Sequence, residues 1–411
     1  MSTRDVAGAA RRGAARPLAI LTLVLLAACT PRGGAGVPAP AERSARSANG
    51  LARTPPMGWN SWNKFGCNVS EQLIREQADA IVASGMRDAG YQYVVIDDCW
   101  QVARDAAGAI VADPERFPHG IKALADYVHA RGLKFGIYTD AGTLTCQRRP
   151  GSFGHEAQDA RTYAAWGVDY VKVDWCNTTG LDAPTQYARF RDALARAGRP
   201  IVFSICEWGV NQPWEWAPRV GNLWRTTDDV EDRWPSMLAN LDQTAQHAAV
   251  AGPGGWNDPD MLEVGNGGMT DDEYRAHFSL WAILAAPLIA GNDVRTMSPA
   301  TRAILTNAEV IAVDQDPLGA QGILVWAGPP ELQVWAKPLA DGSRAVALLN
   351  RSTAAAKITA DFRRAGLRAD SATVRDLWAH AEVGRFAREY SATVPAHAVV
   401  MVRVAGMSAG R

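Results

Sequence analysis

Short apolar runs that end in a carboxylate recur along the first three quarters of the chain, and this repetition constrains the fold most strongly. The run YVKV at residues 170–173 alternates apolar and polar residues and is followed by Asp174. The runs at 93–96 and 223–226 also lead into carboxylates, at Asp97 and at Asp228. Amphipathic helical patterns separate these runs, which is typical of successive β/α units.

Eight such strand ends can be counted, roughly 20 to 40 residues apart, which favours a (β/α)8 TIM barrel of about 250 residues. An open doubly wound sheet would ask for a glycine-rich phosphate loop after the first strand, and the sequence contains neither GxGxxG nor GxxxxGK. The predicted strand ends are 57–62, 93–96, 135–138, 170–173, 201–205, 223–226, 255–260 and 287–291. The helices predicted between them include one that starts at the N-cap Ser70 and others at 121–130, 185–197, 235–250 and 271–284.

The pattern changes after residue 319, where short strand-like segments follow one another without helices between them. Gly, Asp, Asn and Ser turns separate these segments, at 332–336, 344–349, 357–360, 372–375 and 398–403. This predicts a C-terminal antiparallel all-β sandwich that packs on the barrel. The domains expected are therefore a catalytic barrel at 51–320 and a sandwich at 321–411.

The N-terminal 29 residues resemble an export signal. Basic residues precede the apolar run 18–28, which is too short for an ordinary membrane span, and LAAC at 26–29 resembles the lipobox of a bacterial lipoprotein. Cys29 is then the expected lipidation site, with simple secretion as the alternative. Residues 30–50, rich in Pro, Gly, Ala and Ser, are expected to form a flexible tether. The predicted location is a membrane-anchored lipoprotein, periplasmic or at the cell surface, which contacts the membrane only through its lipid.

Composition excludes several classes of partner and cofactor. A net charge of -1, with both signs dispersed, gives no reason to expect nucleic acid. The seven histidines are scattered, and CxxC, HxH and HExxH are absent from the sequence, so we expect no metal and no cofactor. Apart from Cys29 there are five cysteines, for which an oxidising compartment favours two disulfides and one free thiol. Their spacing alone leaves the connectivity open.

The C-terminal rim of the predicted barrel is rich in carboxylates. They are Asp97, Asp98, Asp140, Asp174, Glu207, Asp228, Asp229, Asp258 and Asp260. Together with 15 tryptophans, such a rim suits carbohydrate chemistry, because acids bind hydroxyl groups while indole faces pack on the C–H faces of sugars. Glycoside hydrolysis additionally needs two carboxyl groups across the scissile bond.

Eight motifs, in order along the chain, make the resemblance specific. They are MGWNSW at 57–62, DDCW at 97–100, GIYTDAG at 136–142, YVKVDWC at 170–176, SICEWG at 204–209, WRTTDD at 224–229, GWNDPDML at 255–262 and AVDQDPLG at 312–319. This series resembles the melibiase family, glycoside hydrolase family 27, and the C-terminal domain is similar to that family's β module. The resemblance implies a (β/α)8 barrel with a C-terminal sandwich and a retaining glycosidase.

The resemblance also implies the two catalytic residues. Asp174, in the K-x-D-x-C motif, would be the nucleophile, and Asp229, in the W-R-x-x-x-D motif, the acid/base. Lys172, two residues before Asp174 on the same strand face, would favour the ionised form of the nucleophile. Many relatives carry Gly where this chain has Asp228, whose carboxylate we expect to point away from the site because neighbours on an extended chain face opposite ways.

The substrate-binding residues follow from the same comparison. Asp97 and Asp98 would hold the 4- and 6-hydroxyls of galactose, and Trp59 would form part of the apolar wall. Cys206 and Trp208 would surround the 2-position and leave little room for an N-acetyl group. The remaining substrate-binding residues expected are Tyr138, Lys172, Glu207, Arg225 and Asp260.

The expected function is hydrolysis of terminal α-galactosyl residues from galacto-oligosaccharides or galactomannan. N-acetylgalactosaminides, β-L-arabinopyranosides and isomaltose-type substrates are the alternatives within the family. A non-catalytic sugar-binding protein would be expected to lack one catalytic carboxylate, whereas both are present. The resemblance further implies disulfides Cys67–Cys99 and Cys146–Cys176, with Cys206 free in the pocket.

Overall fold

The computed structural model describes residues 49–407. The predicted signal peptide, the lipidation site Cys29 and nearly all of the predicted tether lie outside this range. Asn49, assigned to the tether from sequence, exchanges two amide hydrogen bonds with Asn222 of the barrel, at 2.9 and 3.0 Å. Among residues 49–407, no helix has the length and apolar character that crossing a membrane requires.

Within residues 49–407, ten strands precede the C-terminal domain, and eight of them form the barrel wall. They are β1 (Met57–Asn60), β2 (Tyr93–Val95), β3 (Gln101–Arg104), β4 (Ile110–Ala112), β5 (Lys134–Asp140), β6 (Tyr170–Asp174), β7 (Val202–Ile205), β8 (Leu223–Arg225), β9 (Trp256–Asp258) and β10 (Leu288–Ala290). The wall runs β10-β1-β2-β5-β6-β7-β8-β9 with parallel pairing throughout, while β3 and β4 form a separate antiparallel hairpin. A parallel bridge between Leu262 and Ala290 joins the two ends of this sheet, and the barrel prediction is confirmed.

Helices alternate with the barrel strands and cover their outer faces. They are α1 (Trp62–Phe65), α2 (Glu71–Ala83), α3 (Gly120–His129), α4 (Glu156–Trp166), α5 (Ala183–Ala195), α6 (Pro213–Trp216), α7 (Trp234–Thr244), α8 (Asp271–Leu284), α9 (Pro299–Leu305) and α10 (Ala308–Asp314). Short 3₁₀ turns cover Ala217–Arg219, Ala245–Val250 and Val294–Thr296. Helix α8 has the predicted bounds because Thr270 and Glu273 form a capping box at its start. Helix α7 ends before the predicted residue 250, where the chain kinks at His247.

Period-two alternation along the strands separates an outer core from the barrel interior. On β6, Val171 and Val173 belong to the core beneath the helices, whereas Tyr170 belongs to a second cluster inside the barrel. That inner cluster also contains Tyr93, Val202, Leu223 and Trp256, with Leu51 packed against it. An apolar plug therefore fills the N-terminal end of the barrel and leaves the C-terminal end for polar groups.

The C-terminal domain is the predicted antiparallel sandwich. Its strands are β11 (Ile323–Gly328), β12 (Leu332–Pro338), β13 (Arg344–Asn350), β14 (Ala356–Asp361), β15 (Ser371–Asp376), β16 (Ala381–Ala387), β17 (Glu389–Val394) and β18 (Ala398–Gly406). The order β11-β12-β13-β18-β15-β16 forms one sheet and β14-β17 the other. Strands β11, β16 and β17 were not predicted from the sequence. Because β11 and β16 are edge strands with several exposed residues, burial imposes little apolar pattern on them.

A buried lysine joins the sandwich to the barrel. Lys337 of β12 donates from Nζ to the carbonyl oxygens of Ala282, at 3.0 Å, and Asp314, at 3.3 Å, near the C-terminal ends of α8 and α10. Burial lowers the pKa of Lys337 to about 8. The sandwich therefore packs against the barrel helices through specific polar contacts as well as apolar ones.

Candidate active site

Asp174 lies at the C-terminal end of β6, almost completely buried and pointing into the barrel mouth. The hydroxyl of Tyr138 donates to its Oδ2 at 2.8 Å. Lys172 Nζ lies 3.8 Å from its Oδ1, an oxygen that has no hydrogen-bond partner among the described residues. Asp174 therefore keeps one buried oxygen, Oδ1, without a hydrogen bond from the protein.

The charge state of Asp174 is finely balanced. Burial raises its pKa to about 6, Lys172 opposes that rise, and the nearby Asp97 adds to it. Burial by itself would lower the pKa of Lys172, but the two carboxylates outweigh it and raise that pKa well above the usual value. Lys172 is thus a permanent cation that keeps Asp174 ionised near neutral pH.

A second carboxylate and a disulfide hold the loop that follows Asp174. Asp140, at the end of β5 and beside Asp174 in the sheet, accepts hydrogen bonds from the backbone nitrogens of Gly142 at 2.7 Å and Cys176 at 2.9 Å. Burial and the charge of Asp174 raise the pKa of Asp140 to about 8. The disulfide Cys146–Cys176 spans the same two loops, and Cys146 Sγ lies 3.5 Å from Asp174 Oδ2.

Both predicted disulfides are present, and Cys206 is a buried free thiol. The atoms of Asp140, Cys146 and Cys176 that could bind a metal lie within 4.8 Å of one another. Since the two sulfurs are bonded to each other, this group offers no thiolate ligands.

Asp97 and Asp98 follow β2 at the same end of the barrel. Asp97 Oδ2 accepts hydrogen bonds from Asn60 Nδ2 at 2.7 Å and from Lys172 Nζ at 2.9 Å. Asp98 Oδ2 accepts from the backbone nitrogen of Gln147 at 3.0 Å, and burial raises the pKa of Asp98. Lys172 therefore joins Asp97 to Asp174 on β6.

Asp229 lies in the loop after β8, and its side chain is 63% exposed. Arg225 Nη2 donates to its Oδ1 at 2.8 Å, and Trp208 Nε1 donates to the same oxygen at 3.1 Å. Partial burial acts to raise the pKa of Asp229, but the charges of Arg225 and Lys172 outweigh it and hold the pKa below the usual value. In the unliganded site Asp229 is therefore ionised at neutral pH.

Arg225 is buried and links Asp229 to Asp260. Its Nη1 lies 2.8 Å from Asp260 Oδ1 and 3.5 Å from the sulfur of Cys206. Asp228 is exposed to solvent, and its carbonyl oxygen accepts a hydrogen bond from Asn240 Nδ2 at 3.1 Å. The direction of the Asp228 carboxylate stays a prediction, since Asp229, which contacts Arg225, is exposed as well.

Two predicted substrate-binding residues do not face the barrel mouth. Trp59 pairs in register with Val94 and Ala290, all three belong to the outer core, and its indole donates to the carbonyl oxygen of Asn292 at 2.7 Å. The prediction for Trp59 is therefore wrong. Trp62, three residues later, retains solvent access.

Glu207 is the second correction. It follows Cys206 on the chain and is fully buried, with its Oε2 accepting hydrogen bonds from the backbone nitrogen of Asn211 at 2.6 Å and from Asn211 Nδ2 at 2.8 Å. Its carboxylate therefore closes the turn that carries Trp208 rather than lining the site. Burial raises the pKa of Glu207 to about 7.

The structure brings together the other residues predicted for the site, and it adds some that the sequence analysis did not assign. Contacts already described form two groups, one of Asp97, Tyr138, Lys172 and Asp174 and one of Cys206, Trp208, Arg225, Asp229 and Asp260. Lys172 of the first group and Cys206, Arg225 and Asp260 of the second line one small chamber. Asn60 and Asp140 are additional members that hold the acidic residues in place. Both lie inside motifs quoted above, so the sequence pointed to their positions but did not show which groups they would hold.

Comparisons with known proteins agree along nearly the whole described chain. A family model described as alpha galactosidase A matches residues 54–316, and one described as alpha galactosidase C-terminal beta sandwich domain matches 330–404. Alpha-galactosidase A of Cellvibrio japonicus is 52% identical over 385 residues, covering 88% of this chain and 95% of that protein. An alpha-galactosidase of Oryza sativa subsp. japonica is 56% identical over 335 residues, covering 81% and 80%. The crystal structure of alpha-galactosidase I from Mortierella vinacea superposes with a TM-score of 0.85 at 42% identity, covering 88% of this chain and 100% of that one.

Proposed function

Since the chain belongs to the melibiase family of α-galactosidases, glycoside hydrolase family 27, we propose that it is a retaining exo-α-galactosidase. It would remove terminal non-reducing α-galactosyl residues through a covalent glycosyl-enzyme. The observation that carries this proposal is the buried Asp174, held by Tyr138 and kept ionised by Lys172, at the same barrel mouth as the Arg225-bound Asp229.

In the first step the carboxylate of Asp174 attacks the anomeric carbon. The bond from that carbon to the glycosidic oxygen breaks, and Asp229 gives its proton to the departing oxygen. Because Arg225 favours the ionised form of Asp229, bound substrate must weaken that contact or further desolvate the carboxyl group before this transfer.

In the second step Asp229, now a carboxylate, removes a proton from water. The resulting hydroxide attacks the anomeric carbon, Asp174 leaves, and galactose is released with its original configuration. This half of the reaction needs Asp229 in its ionised form, which Arg225 and Lys172 favour. Asp229 releases the proton taken from water once the site opens, and it must take up a proton again when the next substrate binds.

The glycone proposed is galactose. Asp97 and Asp98 provide the acceptor oxygens for two neighbouring hydroxyl groups, and Cys206 with Trp208 limits the space near Arg225 and Asp229. We assign the apolar wall to Trp62 in place of Trp59, because Trp62 retains solvent access at the start of α1, directly after β1. An N-acetyl group would have to displace the buried thiol of Cys206.

The direct test is hydrolysis of an aryl α-galactoside by the full chain. Asp174→Ala should lower kcat by at least about 10⁴-fold, because the covalent step has no other nucleophile. Asp228→Asn, which removes an exposed neighbouring charge, serves as the matched control and should stay within about threefold. Comparable activity in Asp174→Ala and the control would refute the assignment.

A second comparison separates galactose from the other glycones of the family. The wild-type protein would be assayed with aryl α-galactoside, α-N-acetylgalactosaminide and β-L-arabinopyranoside, together with isomaltose. We expect the highest kcat/KM for the galactoside. A higher value for any of the others would reassign the glycone while leaving the catalytic residues intact.

We also propose that lipid on Cys29 anchors the protein to a membrane. The support is the sequence LAAC at 26–29 after an apolar run, together with a tether that ends at the N-terminal side of the barrel, away from the proposed active site. Expression of wild type and Cys29→Ser in a bacterial host, followed by partition into detergent, tests this. Equal partition of the two proteins would exclude the anchor.

A further inference from the structure

Asp258 is a buried carboxylate that the proposed mechanism does not use. It is the last residue of β9, and it pairs in register with Arg225 of β8, so both side chains project into the barrel. Its Oδ1 accepts a hydrogen bond from the backbone nitrogen of Asp260 at 2.9 Å. The Asp258 carboxylate therefore holds the backbone of Asp260, two residues later, through this hydrogen bond.

Asp260 adopts a backbone conformation that needs such support. Its φ is 81°, in the left-handed region that side chains other than glycine rarely occupy. Two bonds hold it there: the one to Asp258 and the bond from Trp281 Nε1 to the carbonyl oxygen of Asp260, at 2.8 Å. A residue held in this region is strained and persists only where its surroundings enforce it.

The strained conformation aims the Asp260 carboxylate at two groups next to Asp229. Asp260 Oδ1 lies 2.8 Å from Arg225 Nη1, and the other terminal nitrogen of Arg225, Nη2, donates a hydrogen bond to Asp229. Oδ2 accepts a hydrogen bond from the backbone nitrogen of Val230 at 2.8 Å, and Val230 directly follows Asp229. Asp260 thus fixes Asp229 both through its ion-pair partner and through its own backbone.

We propose that Asp258 is a positioning residue for the acid/base, acting on Asp229 through the turn at Asp260 and through Arg225. This inference rests on the proposed function, since it takes Asp229 as the acid/base. Asp258 lines a small chamber together with Ser204, Lys172, Cys206, Arg225 and Asp260. Because the contacts that it makes through Asp260 and Arg225 converge on Asp229, loss of Asp258 should impair proton transfer more than the rest of the reaction.

Leaving-group dependence provides the test. The 2,4-dinitrophenolate group of a 2,4-dinitrophenyl α-galactoside leaves without being protonated. The phenolate group of a phenyl α-galactoside is more basic and needs a proton from the general acid. For Asp258→Ala we expect kcat/KM to fall about 100-fold with the phenyl substrate, a loss typical of impaired general acid catalysis, but less than about fivefold with the dinitrophenyl substrate. Asp258→Asn keeps an oxygen that can accept from the Asp260 nitrogen, so it should restore most of the loss with the phenyl substrate.

Two further variants make the result unambiguous. Ser204→Ala opens the same chamber without touching the Asp260 turn, and it should change both substrates by the same factor. Asp229→Ala reports on the proposed function itself: without leaving-group selectivity in that variant, the acid/base assignment fails. If Asp229→Ala is selective while Asp258→Ala lowers both substrates equally, only the positioning role is wrong. The same holds if Asp258→Asn remains as impaired as Asp258→Ala.

Discussion

Lys172→Met isolates the charge that keeps the proposed nucleophile ionised. Methionine retains an unbranched stem of similar length but removes the ammonium group, which lies 3.8 Å from Asp174 Oδ1 and 2.9 Å from Asp97 Oδ2. Two carboxylates would then share the barrel mouth without a cation between them. The proton-bound form of Asp174 is thereby favoured.

The separation gives the size of the effect. At an effective dielectric constant of about 20, two unit charges 3.8 Å apart interact by about 4 kcal/mol, which corresponds to about three pH units. The pKa shifts upward, because losing a nearby cation destabilises the ionised carboxylate of Asp174. The pKa of Asp174 therefore rises from about 6. The acid limb of kcat/KM, which requires ionised Asp174, should move upward by up to that amount.

The assay is the pH dependence of kcat/KM with a 2,4-dinitrophenyl α-galactoside, from about pH 4 to about pH 10, because kcat/KM reports the free enzyme. This substrate removes the need for Asp229 as acid, so the acid limb reports Asp174. Lys172→Arg keeps the charge and is the matched control, with a limb expected near that of wild type. A uniform loss in Lys172→Met at every pH, with the limb still near 6, would show that Lys172 only binds substrate and would refute the electrostatic role.

Two further perturbations test the loops around Asp174. One double variant replaces Cys146 and Cys176 by Ala, and a second replaces Cys67 and Cys99 by Ala. Each should lower the free energy of unfolding by about 3.7 kcal/mol in the chain-entropy model, because the sequence separations of 30 and 32 residues are nearly equal. Only the first pair borders Asp174, so kcat should fall further there; equal kcat values in the two double variants would reduce that disulfide to a stability element. Gly142→Ala would put a Cβ 2.1 Å from the carbonyl oxygen of Cys176, so we expect a loss of about 1 to 3 kcal/mol in unfolding experiments together with a lower kcat. Gly180→Ala, at a φ of +81° with open space around it, should cost about 1 kcal/mol and leave kcat intact; unchanged kcat in Gly142→Ala would contradict the tight loop contact.

Much of the fold could be predicted because its patterns are local. The eight barrel strands, helix α8 and five of the sandwich strands follow from apolar runs bounded by turn and capping residues. The assignment of Lys172 and Asp174 to one face also held, since β6 alternates apolar and polar residues as an ordinary strand does. The ordered motifs then supplied what spacing could not, including both disulfide pairings.

The failures occur where the local pattern has no preferred face. Strand β1 is buried on both sides, as strands of a parallel barrel are, so its sequence does not show whether Trp59 points inward or outward. The same ambiguity affects Glu207, which directly follows the inward Cys206. Asp140 and Asp258 were recognised as rim carboxylates, but their backbone partners are visible only once the strands are paired.

The sequence by itself therefore determined the order of the elements, the family and the chemical types gathered at one end of the barrel. Only the tertiary structure decided which of two neighbouring side chains enters the site, that Trp62 rather than Trp59 retains solvent access, and that the chain of contacts from Asp258 reaches Asp229. The physical reason is that these choices depend on strand register and on contacts between residues far apart in the chain. Apolar periodicity describes each strand separately and contains neither.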